Sequence, residues 1–154
     1  MVGGIYKRGY CSDSIRGSVC SVNFFFDNNL PPPLARALNE LSMPEGHTVQ
    51  HLRALYPSGK VPDEVWIARL AEESDWSIVS IDNILRNAAA YRALKSSGLN
   101  FFFLYGGWGN LSMWTIVHKL VQRWPAILRA TELIAPGQAY RVRVKSNKLE
   151  PFRI

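Results

Sequence analysis

The chain has 154 residues, of which 47% are hydrophobic and 19% are charged, so it is long and apolar enough to form one domain with its own core. It contains no run of about 18 apolar residues and no continuous apolar segment near the N-terminus, so neither a membrane-spanning helix nor a signal peptide is expected. We therefore expect a cytoplasmic protein.

The N-terminal segment, residues 1–21, is rich in Gly and Ser and shows no sustained hydrophobic period. We interpret it as a flexible leader, either part of the fold or an extension outside it, that is followed by a single domain over residues 22–154. Its two cysteines, Cys11 and Cys20, are expected to be free thiols in a reducing cytosol, because two ligands alone do not complete a zinc site.

The first part of the domain follows a strand-helix-strand pattern. A short apolar run with three consecutive phenylalanines ends at Asp27. The prolines that follow stop the strand and open a helix, in which Leu34, Leu38 and Leu41 stand at helical spacing. A weaker strand is predicted over residues 47–52.

A second helix begins after Pro62. Its residues Val65, Ile67, Leu70 and Ala71 can form an apolar face. Two acids stand in its first turn, where carboxylates interact favourably with the helix dipole. The pattern predicts a helix that packs one face against a sheet.

The remaining elements continue this alternation. In chain order they are a strand over residues 76–82 that again stops on an aspartate, a helix over 83–95, a strand over 99–105, a helix over 111–133 and a strand over 139–144. The segment GGWGN before the long helix is predicted to be a turn. Pro125 lies inside that helix and is expected to kink or break it.

The order of the elements predicts the fold class. Strands that alternate with helices and read as continuous apolar runs are typical of a mostly parallel sheet that is covered on both faces. We therefore predict an α/β protein with a three-layer α/β/α architecture.

Aspartates at the ends of two predicted strands form the candidate site. In open parallel sheets the ligand crevice lies beyond the carboxyl ends of the strands, and both Asp27 and Asp82 follow a strand. Asp63 begins the helix that leads into the second of these strands and can reach the same edge. Neighbouring strands are about 4.8 Å apart, so these acids can share a hard cation such as Mg²⁺ or Mn²⁺.

Each of these aspartates also has a purely structural interpretation. Asp27 can cap the following helix, Asp63 can interact with the helix dipole, and Asp82 can belong to a turn. The metal hypothesis depends on their recurrence at equivalent places in the topology. Arg86, one turn beyond Asp82, is a candidate for a phosphate contact, with a solvated helix residue as the alternative.

The charges are distributed unevenly along the chain. Residues 1–82 contain ten acids and seven Lys or Arg, whereas residues 83–154 contain two acids and eleven Lys or Arg. The basic second half favours attraction of a phosphate backbone, although a basic surface also occurs without nucleic-acid partners. RNA is the partner that we expect.

The histidines and tryptophans are interpreted as structural. His47 and His51 are four residues apart, as in half of a zinc site, but no third ligand follows at usable spacing. Trp108, Trp114 and Trp124 could stack on bases, but their helical spacing favours packing in the core or at a partner interface. The lone His118 is likewise expected to be a packed or surface residue.

Four segments resemble a known family. The segments are DNNLPPPLARAL, PDEVWIARLAEE, IVSIDNILRNAAAYRAL and SSGLNFFFLYGGWGNLSMWTIVHKLVQRWPAIL. Together they resemble PIN-like domain proteins related to the VapC-type toxins of toxin–antitoxin modules. The likeness extends roughly over residues 22–144, and the aspartates that follow strands are its functional core.

The resemblance implies a PIN-like fold and a Mg²⁺- or Mn²⁺-dependent endoribonuclease that a cognate antitoxin inhibits. The family's acidic positions correspond to Asp27, Asp63 and Asp82. A further acid, usual on an early helix of the family, has no assured counterpart: Glu40, Glu45 or Glu64 can substitute, or none. In addition, NAAAYRAL is apolar where relatives often have a glutamate.

Three functions are therefore considered. The first is an endoribonuclease toxin, and the second is a catalytically weakened PIN-like module that binds RNA or a protein partner without cleavage. A hydrolase with an aspartate nucleophile is disfavoured, because Asn29 stands where a second aspartate would be expected. The sequence leaves the oligomeric state open, so a homo-oligomer is one alternative.

Overall fold

The computed structural model describes residues 21–73, 75–133 and 135–154. The predicted leader, with Cys11 and Cys20, lies outside the described residues except for Ser21. The strands are β1 (Asn23–Phe26), β2 (Thr48–His51), β3 (Trp76–Ser80), β4 (Asn100–Tyr105), β5 (Ala139–Arg143) and β6 (Leu149–Phe152). The helices are α1 (Pro32–Ser42), α2 (Leu52–Leu55), α3 (Asp63–Glu73), α4 (Ala88–Ser97) and α5 (Met113–Leu133). Short 3₁₀ turns span Met43–Glu45, Ile84–Arg86 and Trp108–Asn110.

The six strands form one sheet in the order β2-β1-β3-β4-β5-β6. Strands β1 to β5 are parallel to one another, and among the described strands only β6, which pairs with β5, is antiparallel. Strand β1 lies between β2 and β3 in the sheet, so β1 and β3 are adjacent parallel strands although β2 separates them in the sequence. The loops after β1 and β3 therefore meet at one edge of the sheet, the edge formed by the carboxyl ends of the strands.

The sheet separates two apolar cores, as the alternation of side chains along β1 illustrates. Phe24 packs against Trp124 of α5 with ring centroids 4.6 Å apart, whereas the ring of Phe25 stacks on Trp66 of α3 at 5.4 Å. Helices α1 and α5 cover the first face, and α3 and α4 cover the second. The predicted α/β/α architecture with a mostly parallel sheet is confirmed.

Two predicted helical faces differ from the observed ones. In α3 the buried residues are Trp66, Ile67 and Leu70, whereas Val65 is exposed. In α1 the exposed side chain of Leu41 lies beside the buried face that contains Leu38. A residue can stand at helical spacing and still lie at the margin of the buried stripe, because the sheet covers only part of the helix circumference.

The helix predicted over residues 83–95 is divided. The chain first makes the 3₁₀ turn Ile84–Arg86, and α4 begins only after Asn87. The side chain of Asn87 accepts hydrogen bonds from the backbone N–H groups of Ala89 and Ala90, at 2.9 and 3.2 Å, and so caps the helix. The divided segment places Arg86 on a turn beside the carboxyl edge.

The long helix α5 runs through Pro125 without a break. Trp108 and Trp124 are buried as predicted, and their indole N–H groups donate to the Val142 carbonyl at 2.8 Å and to the Ser42 hydroxyl at 2.9 Å. Trp114 is 76% exposed, so it is not a core residue. None of the helices in the described ranges combines the length and apolar character needed to cross a membrane.

Strand β6 was not predicted. It contains Pro151, which cannot donate a ladder hydrogen bond and therefore argues against a strand. The position is tolerated because β6 is the edge strand, where Pro151 lies opposite Tyr140 of β5. The antiparallel edge extends the sheet beyond the part that helices α3 and α4 cover.

A buried arginine fastens the turn between β5 and β6 to α5. Arg123 is 4% exposed, and its guanidinium donates to the carbonyls of Lys119 at 2.8 Å, Val144 at 2.6 Å and Ser146 at 3.1 Å. The same group lies 5.4 Å from the ring centroid of Trp108. Burial lowers the pKa of Arg123.

We expect Arg123→Ala to lower the free energy of unfolding by about 2–4 kcal/mol, because three carbonyls lose a charged donor in a buried place. The matched control is Arg129→Ala, which removes an exposed arginine from the same helix and should change stability by less than ~0.5 kcal/mol. Urea denaturation followed by circular dichroism measures both. Equal losses in the two variants would contradict this assignment.

Candidate metal centre

The site begins with a buried carboxylate at the end of β1. The backbone N–H of Asp27 continues the parallel ladder by donating to the Val79 carbonyl at 3.3 Å, and the side chain is only 4% exposed. One carboxylate oxygen, Oδ1, accepts from the backbone N–H of Asn29 at 3.2 Å, and Oδ2 accepts from the hydroxyl of Ser80. Asp27 therefore turns back into the fold at the carboxyl edge and does not point into solvent.

Burial raises the pKa of Asp27 from 3.8 to about 7. Repulsion from Asp82 and Asp63 contributes to this rise, while the hydrogen bonds from Ser80 and from the Asn29 backbone oppose it. Among the described residues, the groups that shift its pKa include hydrogen-bond donors but no cationic side chain. This is the electrostatic condition in which a bound cation is favourable, because the cation would compensate both the desolvation and the repulsion.

Asp82 follows β3 by two residues and is bound to the same serine. The Ser80 hydroxyl lies 3.1 Å from the backbone nitrogen of Asp82 and 3.0 Å from its carbonyl oxygen. The side chain is exposed, and its Oδ2 accepts a hydrogen bond from the amide group of Asn29. Partial burial and repulsion from Asp63 raise the pKa of Asp82.

Asp63 is the first residue of α3 and completes the group of three aspartates. Its Oδ1 accepts a hydrogen bond from the indole of Trp66 at 3.0 Å, which orients the side chain at the start of the helix. Its charge contributes to the raised pKa of both Asp27 and Asp82. The fold therefore brings the three predicted aspartates into one electrostatic neighbourhood.

The possible fourth acid is less well placed. The Oε2 atom of Glu64 is buried and has no hydrogen-bond partner among the described residues, but its charge is not among the causes that shift the pKa of Asp27 or Asp82. Glu40 and Glu45 lie at the other end of α1, towards the start of β2, at the opposite edge of the sheet. Of the three alternatives, only Glu64 lies in the element that carries Asp63.

An open cleft of about 480 Å³ lies over the exposed part of this edge. Its lining residues are Asp63, Asp82, Asn83, Ile84, Arg86 and Asn87. Two acids and one exposed arginine thus border the same space, and the buried Asp27 is connected to one of these acids, Asp82, through Ser80 and Asn29. The cleft can accept a phosphate group between a cation held by the acids and the guanidinium of Arg86.

A second cleft, of about 510 Å³, lies at the opposite edge of the sheet and is a weaker candidate for the functional site. Its ionisable lining residues are Glu73 and Asp75. Glu73 already accepts a hydrogen bond from the indole of Trp76 at 3.0 Å, and Asp75 is exposed. The cleft at the carboxyl edge, which Asp63, Asp82 and Arg86 line, is therefore the better candidate site.

The donor atoms at the carboxyl edge are all of the kind that a hard cation prefers. Asp27, Asp82 and Ser80 offer oxygens, and a rotation of the Asn29 amide would add another. In the part of the chain that the structure describes, no three His, Cys, Asp or Glu side chains stand close enough together to share one ion. Mg²⁺ is commonly bound by one or two carboxylates with water and substrate phosphate, so the residues present fit that mode.

Both histidines of the 47/51 pair have structural partners. His47 is fully buried, and its Nδ1 accepts from the backbone N–H of Val22 at 3.2 Å. The Nε2 atom of His51 lies 2.8 Å from the Leu30 carbonyl, while its Nδ1 accepts from the backbone N–H of Arg53. The interpretation of these histidines as structural residues is consistent with these contacts.

Sequence reasoning missed the two residues that join the acids. Ser80 contacts Asp27 and Asp82, and Asn29 contacts the same two residues. Their spacing was an available signal, since Ser80 stands two residues before one aspartate and Asn29 two residues after the other. Both residue types are common in turns, so the signal becomes specific only when the two loops are known to meet.

A parallel α/β/α sheet with aspartates grouped at its carboxyl edge defines a class of α/β domain with a candidate hard-cation site. The comparison with known families is consistent with this class: the model of the family described as PIN like domain matches residues 22–106. The match covers more than half of the chain and includes every site residue named above, so the protein belongs to the PIN-like domain family. Members of this family are commonly nucleases. No curated protein and no solved structure matches the chain.

The raised pKa of Asp27 predicts a pH-dependent stability without metal. Between pH 3.8 and about 7 the folded state retains a proton that the unfolded chain has lost, so this group lowers the free energy of unfolding as the pH rises through that window. At about 1.4 kcal/mol per pKa unit, the effect is on the order of 4 kcal/mol. In EDTA, Asp27→Asn should be more stable than the wild type at pH 8, and the advantage should disappear near pH 4.

Asp27→Asn keeps the size of the side chain and can keep its hydrogen bonds. The new amide can donate to the Ser80 hydroxyl, while that hydroxyl donates to the Asp82 carbonyl, 3.0 Å away. The comparison between the two proteins also cancels the contribution of His51, whose pKa is lowered by burial. Asp75→Asn is the control: it removes an exposed acid at the opposite edge and should retain the wild-type pH dependence. Parallel stability curves for Asp27→Asn and the wild type would contradict the assignment.

Proposed function

We propose that this protein is a divalent-metal-dependent endoribonuclease that acts as the toxin of a toxin–antitoxin module. The observation that carries the proposal is the convergence of Asp27, Asp63 and Asp82 at the carboxyl edge of the sheet, where burial and mutual repulsion raise the pKa of Asp27 and Asp82. Membership of a family that is rich in nucleases supports this interpretation of the acids.

In this proposal Asp27 and Asp82 hold Mg²⁺ or Mn²⁺. Asp63 acts through a water molecule that it positions, because no three acids of the described residues stand close enough together to bind one ion directly. Glu64 is the candidate for an additional acid. When bound, such an ion supplies Lewis-acid polarisation of a phosphoryl oxygen and lowers the pKa of water. The donor chemistry favours a hard cation, because oxygen atoms are the ligands available at this edge.

The other residues of the cleft orient the ligands and the substrate. Ser80 and Asn29 each contact both strand-terminal acids and so fix the relative position of two loops that belong to different strands. Arg86 borders the same cleft and can bind a phosphate of the RNA substrate through a charge-assisted hydrogen bond. In this arrangement the scissile phosphodiester lies between the acids and the guanidinium of Arg86.

The assignment as a toxin rests on the resemblance to VapC-type proteins and on the basic second half of the chain. Eleven Lys or Arg against two acids in residues 83–154 favour an RNA substrate. A cognate antitoxin would act by covering the acidic cleft. Regulation by a partner is expected for a nuclease that attacks cellular RNA.

A second candidate function has one observation in its favour. The amide group of Asn29 donates to Asp82, and the Ser80 hydroxyl occupies an oxygen of Asp27, so both acids already have partners. If these contacts persist when cations are supplied, the protein is a catalytically weakened PIN-like module that binds RNA or a protein partner. Metal dependence of RNA cleavage distinguishes the two candidates.

We expect the purified full chain to cleave a labelled single-stranded RNA in Mg²⁺ or Mn²⁺ and to be inactive in EDTA. Asp27→Asn and Asp82→Asn should each lower the cleavage rate at least ~100-fold, because each removes a ligand worth several kcal/mol of transition-state stabilisation. Asp75→Asn is the matched control and should retain activity. Cleavage that continues in EDTA, or that all three variants retain, would refute the metal-nuclease proposal.

We expect expression of the wild-type chain to arrest growth of the host, and co-expression of a small gene that adjoins its coding sequence, if there is one, to restore growth. Asp82→Asn should grow normally at equal protein levels, because the proposed toxicity requires the acidic cleft. Colony counts and immunoblots measure the two quantities. Equal toxicity of the Asp82→Asn variant would separate toxicity from the cleft and contradict the proposed toxin activity.

A further inference from the structure

The sheet has a row of aromatic and cationic side chains on one face, next to the acidic cleft. Alternate residues of β4, Phe101, Phe103 and Tyr105, point to the face that α3 and α4 cover, and their rings follow one another at 6.2 and 5.7 Å. On β5 the residues after the buried Ala139 on this same face are Arg141 and Arg143. On this face, the aromatic side chains of β4 therefore lie beside the two arginines of β5.

This part of the face is accessible. Tyr105 is 40% exposed, and the side chains of Arg143 and Glu150 are 46% and 41% exposed. The buried residues of α4, Ala90 and Leu94, pack in the core with Phe101 and Phe103, which lie nearer the middle of the sheet. The described helices therefore cover β1, β3 and the buried part of β4 on this face.

The guanidinium groups are held against aromatic rings. Arg141 lies 5.5 Å from the ring centroid of Tyr105 and 4.8 Å from that of Phe152, and Arg143 lies 5.2 Å from Tyr105. These contacts orient planar cations that would otherwise be flexible, which lowers the entropy cost of binding a ligand. Planar cations and rings in one surface can stack on bases and bind phosphates at the same time.

The strand register connects this surface to the candidate metal centre. Ser80, which contacts Asp27 and Asp82, lies opposite Phe103 of β4, and Phe103 lies opposite Arg141 of β5. A line of neighbouring residues across the strands therefore leads from the candidate metal centre to Arg141. Tyr105 lies opposite Arg143 at the carboxyl end of the next row. With about 4.8 Å between strands, β5 is only roughly 10 Å from β3, so a short single strand can contact both places.

The charge of the surface matches a polyanion. Residues 135–154 contain five Lys or Arg and one acid, Glu150. That acid binds Arg143 at 2.8 Å, so Arg141 is the uncompensated cation of the surface itself, within a segment that has a surplus of four cations. Aromatic platforms combined with basic groups are typical of proteins that bind single-stranded nucleic acid, because a duplex does not expose its base faces.

We infer that Tyr105, Arg141 and Arg143 form a binding surface for the nucleotides of single-stranded RNA next to the scissile phosphate. The inference deepens the proposed nuclease function and rests on it for the identity of the nucleic acid. The aromatic ring stacks on a base, and the two arginines bind neighbouring phosphates. This surface lies outside the region that matches the PIN-like family except for Tyr105, so it is a feature of this chain's own C-terminal strands.

The test is equilibrium binding of a fluorescein-labelled, unstructured RNA of about 15 nucleotides to the full chain in EDTA, measured by fluorescence anisotropy. Arg141→Gln combined with Arg143→Gln should raise Kd at least ~10-fold and reduce the salt slope by roughly 0.7 for each lost phosphate contact. Tyr105→Ala should raise Kd about 10-fold, whereas Tyr105→Phe should bind as the wild type does.

Two further variants complete the experiment. Arg36→Gln combined with Arg129→Gln removes the same charge from exposed positions on the helices of the opposite face and should change Kd less than ~2-fold. Glu150→Gln should tighten binding a few-fold, because it releases Arg143 from its carboxylate partner. This gain cannot arise from a loss of folding, so it protects the test from misfolded variants.

Several outcomes would overturn the inference. These are no binding of the RNA by the wild type, equal losses in the control pair and the Arg141/Arg143 pair, and tighter binding of the matching RNA duplex or of a labelled polyglutamate peptide than of the single strand. Because EDTA prevents metal-dependent cleavage, the result does not depend on catalysis. The proposed nuclease function fails on a different result, namely RNA cleavage that Asp27→Asn and Asp82→Asn leave intact.

Discussion

The burial of one carboxylate at the end of β1 is the constraint on which the site depends. Asp27 follows three phenylalanines that anchor β1 in both cores, so the backbone cannot move the aspartate towards solvent without disturbing either layer. The acid therefore remains buried beside hydrogen-bond donors, and no cationic side chain in the described part of the chain is among the groups that shift its pKa. A carboxylate in this condition destabilises the ionised fold, and such a cost is typical of functional sites.

The sheet topology gives this constraint its chemical consequence. Because β1 and β3 are parallel neighbours, the loops that follow them leave the sheet at the same edge, and residues from both loops can share ligands. Ser80 and Asn29 do so by contacting both strand-terminal acids.

The chain divides its charges between the two halves of the same sheet. Acids lie at the ends of β1 and β3, whereas cations lie on β5 and at the turn that follows it. In the proposed function, the cations would attract a phosphate backbone, and the acids would repel it until a divalent ion neutralised them, so the two regions would act in sequence on one ligand. The buried Arg123 connects α5 to the turn after β5 and so fixes the position of the cationic strands.

The sequence by itself determined the class of the fold and predicted which acids follow its strands. Apolar runs that end on Asp27 and Asp82, with helices between them, are local features, and a parallel sheet carries such strand ends to one edge. Local patterns were insufficient for the start of α4, because Asn83 and Asn87 can both cap a helix and only the structure shows the cap at Asn87. They were insufficient for β6, because Pro151 is allowed only at a sheet edge. They also could not separate Trp114, which is exposed, from Trp108 and Trp124, which are buried. Only the tertiary structure decided which polar groups join the acids and which sheet face stays open, since both depend on contacts between residues far apart in the chain.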